Sequence, residues 1–257
     1  MRGVISALEI NPEVKDALVH SSKIIAPSSS YPFLLATRAK ERPLLVITSS
    51  SRSAEDLAHE LRELHDVVFE FPAWETLPHE RLSPRSDTVA RRVATLNSLK
   101  KRFDTHPIVI TPVRGVIHRF ISAISSDPLH TLEVGQELSL TSLVEHLVLN
   151  AYTRTDLVER RGEFAVRGGI IDVFFPLTDH PVRIDFFGDE IEEMKYFDVS
   201  DQRTQTPVTE KIEILPCREF ILTPEVEARA AKLLSKYPSA SDILGKIADG
   251  ISCDGME

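Results

Sequence analysis

The sequence predicts an α/β fold with two kinds of sheet, a parallel sheet in the first half and an antiparallel one in the second. Short apolar runs at 44–48 and 107–111 alternate with amphipathic helical stretches, which is typical of a doubly wound parallel sheet. After residue 127 the hydrophobic period changes to two, and Gly188-Asp189 separates two alternating runs, as in a hairpin. We therefore expect an α/β domain combined with a smaller α+β module.

Three apolar runs define the strands expected in the first half. They are 44–48, 67–71 and 107–111, and the first and last have the continuous apolar character of strands buried on both faces of a parallel sheet. Helices are expected between and after them. Two begin near Ser53 and Ser86, which are suited to capping a helix N-terminus, and a third continues from the last strand to about residue 124.

A two-residue period governs the second half, after one helix expected at 142–151. The runs that predict antiparallel strands are 163–167, 170–175, 182–187 and 190–197. Glycine turns at 168–169 and 188–189 separate members of this set. A last helix is expected over 224–234.

Composition places the chain among ordinary globular proteins. Its 257 residues include 30 Lys and Arg against 39 Asp and Glu, a net charge of −9, and 42% of the residues are hydrophobic. These figures argue against a wholly basic nucleic-acid coat, and no apolar run reaches the roughly 18 residues of a membrane anchor. Cys217 and Cys253 form neither a disulfide framework nor a CxxC half-site, and the N-terminus lacks a secretory apolar region. We expect a cytoplasmic protein.

Charge is unevenly distributed along the chain. Between Arg81 and Arg119, nine basic residues stand against two acidic ones, whereas Ile184–Glu227 has twelve acidic and four basic residues. Such blocks are typical of solvated surfaces. Alternatively, the basic block contacts nucleic-acid phosphates.

The sequence lacks the motifs that support catalysis. A P-loop requires Gly-x-x-x-x-Gly-Lys-Ser/Thr so that backbone amides and a lysine surround phosphates, and residues 23–30, ahead of the first strand, contain no glycine. His59 and His65 are six positions apart and do not share a helix face for zinc. Hairpin geometry accounts for the acidic turn at Gly188-Asp189. We expect no catalytic residue, no cofactor and no metal site.

A candidate binding surface lies in the antiparallel module. Alternation sends Arg183, Asp185 and Phe187 to one side of a strand, and Arg167 of another strand points the same way. Arginine and aromatic residues are enriched in protein–protein hot spots. In the alternative interpretation, Phe187 packs beneath the hairpin turn and the arginines pair with Asp185 or Glu163. The residues expected to face the core are Phe164, Val166, Val182, Ile184 and Phe186.

Two signatures resemble a known family. Arg160–Phe174 (RRGEFAVRGGIIDVF) and Arg183–Glu192 (RIDFFGDEIE) closely resemble the UvrA-binding domain of the excision-repair protein UvrB. They resemble the matching domain of bacterial transcription-repair coupling factors still better. The upstream run Pro72–Pro78 (PAWETLP), with Arg92–Leu96, looks like the coupling factors specifically. The similarity covers roughly residues 40–220.

This resemblance implies an architecture and a partner. It implies a helicase-like, P-loop NTPase-like parallel-sheet domain with a degenerate nucleotide site, interrupted by an inserted α+β UvrA-binding domain. It implies a non-catalytic adaptor that recruits UvrA to lesions where transcription has stalled, with UvrA contacts at Arg167, Arg183 and Phe187. The parent protein would be an ATP-dependent DNA translocase that binds RNA polymerase and duplex DNA through other modules.

The resemblance and the change of period together predict the domain boundaries. We expect 1–126 to form the first part of the helicase-like domain, 127–211 the inserted domain, and 212–257 a truncated return to the first. Because the last seven residues contain neither a helix cap nor a closing element, we interpret the sequence as a fragment of a longer protein. The rival functions are a residual ATPase and a DNA-binding module that uses the basic block.

Overall fold

The chain folds as two compact units of mixed α/β structure. The computed structural model describes residues 2–21, 23–77, 80, 82–118, 131–253 and 255–256. The first unit comprises Met1–Ala73 and Ala94–Arg119, and the second comprises Trp74–Val93 and Phe120–Glu257. The helices are α1 (Arg2–Ile10), α2 (Pro12–His20), α3 (Tyr31–Ala39), α4 (Ser51–Arg62), α5 (Ser86–Ser98), α6 (Val113–Ile117), α7 (Leu140–Leu149), α8 (Pro224–Leu233) and α9 (Ser241–Ala248). The strands are β1 (Leu44–Thr48), β2 (Val68–Glu70), β3 (Ile108–Pro112), β4 (Thr131–Leu132), β5 (Thr153–Arg154), β6 (Glu163–Arg167), β7 (Ile170–Val173), β8 (Val182–Phe187), β9 (Glu190–Phe197), β10 (Thr204–Pro207) and β11 (Ile212–Glu213).

The first unit contains the parallel sheet that the sequence predicts. Its strands lie in the order β1-β3-β2, and β3 pairs in parallel with both neighbours. Ile108 and Ile110 of β3 are fully buried in a cluster with Ala54, Ala58 and Leu61 of α4. These small and branched side chains let helix α4 pack closely on one face of the sheet.

Strand β1 departs from the prediction. Leu44 and Val46 pack against the core of the first unit, but Leu45 is 61% exposed and Ile47 is 52% exposed. The prediction that this run is buried on both faces is therefore wrong within the described residues. The strand lies at the edge of the described sheet, and an apolar run does not by itself reveal whether a second layer covers it.

Two helix starts differ in detail from the sequence interpretation. Helix α4 is capped by Ser50, whose hydroxyl accepts a hydrogen bond from the Ser53 N–H at 3.1 Å. Ser86 is the first residue of α5, and its hydroxyl donates to the Arg161 carbonyl at 3.0 Å. The helix expected after β3 is described as α6, and its predicted continuation over 119–124 lies outside the described residues.

The second unit is built on a six-stranded sheet in the order β10-β9-β8-β7-β6-β5. Neighbouring strands are antiparallel except β5 and β6, which are parallel. The two predicted hairpins are confirmed, and Gly168 and Gly188 in their turns have φ of 61° and 63°, where glycine is favoured. A short antiparallel pair, β4 with β11, accompanies the large sheet.

One face of the six-stranded sheet carries the main core. On this inner face Phe164, Val182 and Ile184 are fully buried, and Val166 and Phe186 pack against them, as predicted. Helix α7 contributes buried leucines to the same cluster. The opposite face, which we call the outer face, carries the candidate binding residues.

Residues 212–217 pack with the module that we expected to end at 211. Ile212 pairs with Leu132, and Ile212, Ile214 and Cys217 belong to the core of the inner face. Helices α8 and α9 form a separate small cluster around Ala230. The predicted boundaries at 127 and 211 therefore differ from the compact units, and the division into separately folding domains stays a prediction.

A buried ion pair joins helix α5 to the segment after β11. Arg92 is fully buried, and its Nε donates to Oε1 of Glu219. Trp74 Nε1 donates to the same carboxylate oxygen at 3.0 Å, and the Arg92 guanidinium lies 5.4 Å from the Trp74 ring centroid. Three side chains from distant parts of the sequence thus satisfy one another inside the second unit.

Replacing Glu219 by Ala is expected to destabilise the second unit. The substitution leaves the Arg92 guanidinium buried without its carboxylate, a change that costs about 3 kcal/mol or more. Urea unfolding followed by circular dichroism measures the loss. Glu55→Ala, on the exposed surface of α4, is the control and should change stability by less than about 0.5 kcal/mol. Equal stability of the two variants would contradict this account of the pair.

Candidate protein-binding surface

The outer face of the six-stranded sheet brings together the three candidate residues. Arg167 lies on β6, and Arg183 and Phe187 lie on β8, with β7 between the two strands. Strand spacing separates β6 from β8 by roughly 10 Å, and four residues along β8 span roughly 13 Å. The three side chains therefore fit within one side of a standard protein–protein interface.

Phe187 is the most exposed of the large hydrophobic residues on this face. It is 76% exposed at the end of β8, directly before the Gly188-Asp189 turn and opposite Glu190. The alternative interpretation, in which the ring packs beneath the turn, is therefore wrong. The apolar surface of a ring in this position is removed from water only when another surface covers it.

Arg167 is exposed at the end of the β6–β7 hairpin. Its Nη2 donates to the carbonyl oxygen of Asp156 at 2.7 Å, which anchors the guanidinium over the loop before β6. The carboxylate proposed for it in the alternative interpretation, Glu163, instead accepts backbone hydrogen bonds from Glu159 and Arg160, both at 2.9 Å. The charge of Arg167 is thus held at the surface by a neutral acceptor.

Arg183 has a partner that the sequence analysis did not identify. Its Nε donates to Oδ1 of Asp172 at 2.7 Å, and its Nη2 donates to Oδ2 at 2.8 Å. The guanidinium lies 5.0 Å from the Phe197 ring centroid, and 20% of the side chain is exposed. The hydrogen bond with Asp172 raises the pKa of Arg183 above its usual value, although burial opposes this shift. The alternative interpretation paired Arg183 with Asp185, whereas its two-point contact is with Asp172 across β7 and β8.

A small apolar cluster also lies on the outer face. Ala165 is 2% exposed, although alternation assigns it to the solvent side, because it packs with Val158, Phe174 and Phe197. The sequence signal for this cluster was the pair of phenylalanines at the ends of β7 and β9. Part of the outer face is therefore rigidly packed rather than solvated.

Part of the basic block at 81–119 is internal or paired with an acidic residue. Arg92 is internal, and Arg85 and Arg91 both approach Asp87, with nitrogen–oxygen distances of 3.1 and 4.0 Å. Arg81 and Arg119, which also belong to the block, lie outside the described residues. The charge of these three described arginines is thus buried or partly neutralised.

The segment before β1, where a P-loop would lie, includes a short helical turn. Ser28–Ser30 adopts one turn of 3-10 helix and leads directly into α3. A cleft of about 830 Å³ beside it is lined by apolar side chains, by serine and threonine hydroxyls, and by the charged residues Arg38, Asp56 and Glu60. The cleft therefore carries two carboxylates and one guanidinium, and it lacks the glycine-rich loop that surrounds phosphates in a P-loop.

Two further properties concern the described part of the chain alone. Among its helices, none has the length and apolar character needed to cross a membrane. Nor do its His, Cys, Asp and Glu side chains gather in groups of three or more that could hold a metal ion.

Comparison with known protein families gives a match that includes the whole six-stranded sheet. The family described as "UvrB interaction domain" matches residues 130–220, which contain Arg167, Arg183, Phe187 and the whole six-stranded sheet. The six-stranded sheet thus lies in the part of the chain that is similar to UvrB interaction domains. The match continues past 211 and so includes the residues that complete the inner core.

The chain is also similar to transcription-repair coupling factors. It is 45% identical over 249 residues to that of Mycobacterium tuberculosis (strain CDC 1551 / Oshkosh), which covers 91% of this chain and 20% of the relative. It is 34% identical over 181 residues to that of Escherichia coli (strain K12), covering 69% and 15%. It is 32% identical over 206 residues to that of Bacillus subtilis (strain 168), covering 78% and 17%. The chain therefore belongs to the transcription-repair coupling factor family, which confirms the resemblance expected from the sequence. It spans about a fifth or less of the length of these relatives.

Truncating Phe187 is expected to leave the fold unchanged. Phe187→Ala should alter the free energy of unfolding by less than about 0.5 kcal/mol, because the ring is mostly exposed. Ile184→Ala, three residues earlier on the buried inner face, should cost about 2–5 kcal/mol. Thermal unfolding of both variants checks the difference. A large loss for Phe187→Ala would mean that the ring supports the hairpin.

Proposed function

We propose that this chain is a non-catalytic adaptor module of a transcription-repair coupling factor and that it binds UvrA through the outer face of its six-stranded sheet. The observation that carries the proposal is the exposure of Phe187 on the same face of the sheet as Arg167 and Arg183, within the part of the chain that is similar to UvrB interaction domains. In the full-length protein this binding would bring UvrA to lesions at stalled RNA polymerase.

The chemistry of the surface supports an acidic protein partner. Arg167 and Arg183 offer fixed guanidinium groups, which bind carboxylates and carbonyl oxygens through directed hydrogen bonds. Phe187 supplies an apolar anchor that a partner pocket would bury. A partner that combines an apolar pocket with acidic groups would bind both the ring and the guanidinium groups, whereas Asp189 and Glu190 beside the ring disfavour a nucleic-acid backbone.

We extend the proposal to the other unit and to the rest of the parent protein. The parallel sheet would be a helicase-like domain whose nucleotide site is degenerate, interrupted by the UvrA-binding domain. DNA translocation, RNA polymerase binding and duplex DNA binding would belong to parts of the parent protein outside this chain. The glycine-free segment at 23–30 supports the absence of a P-loop nucleotide site.

Substitutions on the outer face are expected to weaken UvrA binding without unfolding the chain. Phe187→Ala and Arg167→Ala should each reduce affinity about thirtyfold, the size of a true hot spot of about 2 kcal/mol. Arg167→Glu should reduce it further, because it sets like charges against an acidic partner. Surface plasmon resonance with purified UvrA measures the affinities, and circular dichroism confirms folding.

Matched exposed residues outside this surface serve as controls for that experiment. Ile25 is 87% exposed, and the Arg52 side chain is 89% exposed on α4. Ile25→Ala and Arg52→Ala should bind UvrA like the unchanged chain. If Phe187→Ala and Arg167→Ala also bind with unchanged affinity, the outer face is not the UvrA-binding surface.

Nucleotide is expected to leave the chain unaffected. A ligand raises the melting temperature only if it binds the folded state, so millimolar Mg-ATP should not change it. Differential scanning fluorimetry with and without Mg-ATP, together with a phosphate-release assay, makes the measurement. A rise of several degrees, or steady phosphate release, would contradict the degenerate nucleotide site and favour a residual ATPase.

A further inference from the structure

Asp172 is a buried carboxylate on the face of the sheet that meets solvent. It lies at the centre of β7 between the apolar residues Ile171 and Val173, yet it is only 2% exposed. A buried carboxylate is unfavourable unless a cation and hydrogen bonds compensate for the lost water. Arg183 compensates it from β8, the neighbouring strand, where the two residues stand directly opposite each other.

The contact fixes the orientation of the Arg183 guanidinium. Asp172 engages two N–H groups on the same edge, at 2.7 and 2.8 Å, and this bidentate geometry aligns the planes of the two groups. Phe197 supports one flat side of the guanidinium, and the carbonyl of Gln202 accepts from Nη1 at 3.4 Å. Of the five N–H donors of a guanidinium, two remain for a partner.

A guanidinium held in this way differs from an ordinary surface arginine. A free arginine loses the entropy of several rotatable bonds when a partner orders it, whereas a pre-ordered one has already lost that entropy on folding. Stability alone gives little reason for the pair, since apolar residues of similar volume can replace buried ion pairs without loss. A guanidinium that is ordered before association is therefore available to a partner at a lower entropic cost.

We propose that Asp172 is a positioning residue of the binding surface, which holds Arg183 against Phe197 so that the remaining donors of the guanidinium face the partner. The inference rests on the proposed UvrA-binding function of the outer face. In this arrangement Asp172 acts through Arg183 and does not touch the partner itself.

The variant Asp172→Asn distinguishes a positioning role of Asp172 from a direct effect of its negative charge on the partner. The variant keeps the shape of the side chain but removes the charge and presents amide donors toward the guanidinium donors. Positioning predicts about tenfold weaker UvrA binding, the cost of ordering a released long side chain on association. Charge alone predicts the opposite, because removing a negative charge from the surface would favour an acidic partner. Binding that is unchanged or tighter would overturn the proposal.

The double variant tests whether Asp172 acts through Arg183. Asp172→Asn should weaken binding in the unchanged chain but cause no further loss in a chain that already carries Arg183→Lys, which keeps a cation beside Asp172 but cannot form the two-point contact. Additive losses in the double variant would overturn the proposal. Asp242→Asn is the control, since it also removes one negative charge from the second unit but lies on helix α9, outside the six-stranded sheet, and its binding should be unchanged.

Two additional measurements keep the outcome interpretable. If Asp172→Asn does not fold, Arg183→Lys replaces it, because lysine keeps the charge but cannot form the two-point contact. Arg183→Lys should then show the same tenfold loss, and binding like the unchanged chain would overturn the proposal. Phe187→Ala reports on the surface itself: if it weakens binding while Asp172→Asn does not, only the positioning role fails. If Phe187→Ala also has no effect, the proposed function of the outer face fails and the positioning role fails with it.

Discussion

Side-chain alternation along strands β6 to β8 is the constraint on which both the core and the candidate surface depend. Because side chains alternate along a strand, each residue that points into the main core, such as Phe164 or Ile184, places the residues before and after it on the outer face. A register slip of one residue would bury the charged set and expose the apolar set, so the core specifies the register strongly. The glycine turns at Gly168 and Gly188 keep the hairpins tight enough to maintain it. The binding residues are thus placed by residues that never touch a partner.

The outer face is stiffer than a solvated sheet surface. Ala165, Phe174 and Phe197 form a small apolar cluster on it, and the ion pair of Asp172 and Arg183 lies beside this cluster. Exposed Phe187 and Arg167 stand at the opposite, turn-bearing end of the strands. One end of the face therefore provides support, and the other end provides the accessible groups.

The sequence predicted strands β6 to β9, helices α7 and α8 and the inner face of the sheet because glycine turns and periodic hydrophobic patterns are local signals. It did not predict the short strands β4, β5, β10 and β11 or helix α9, which have weaker local patterns. It could not predict that Asp172 pairs with Arg183, because the register of β7 on β8 depends on the connection at 174–181, whose length does not determine it. The exposure of Leu45 and Ile47 was missed for a related reason, since an apolar run does not state how many layers cover it. From the sequence alone, Arg92 was grouped with the surface cations, because its buried partner, Glu219, lies 127 positions away in the chain. Contacts between residues distant in sequence account for each of these differences.

Side-chain footprinting with hydroxyl radicals tests the central claim most directly. Phe187 is 76% exposed and should be oxidised readily in the free chain, whereas saturating UvrA should protect it strongly. Tyr31 and Tyr237, which are 45% and 47% exposed outside the six-stranded sheet, report on general effects of the added protein and should keep their rates. Oxidation of Phe187 at the same rate with and without saturating UvrA would contradict the assignment of the outer face as the UvrA-binding surface.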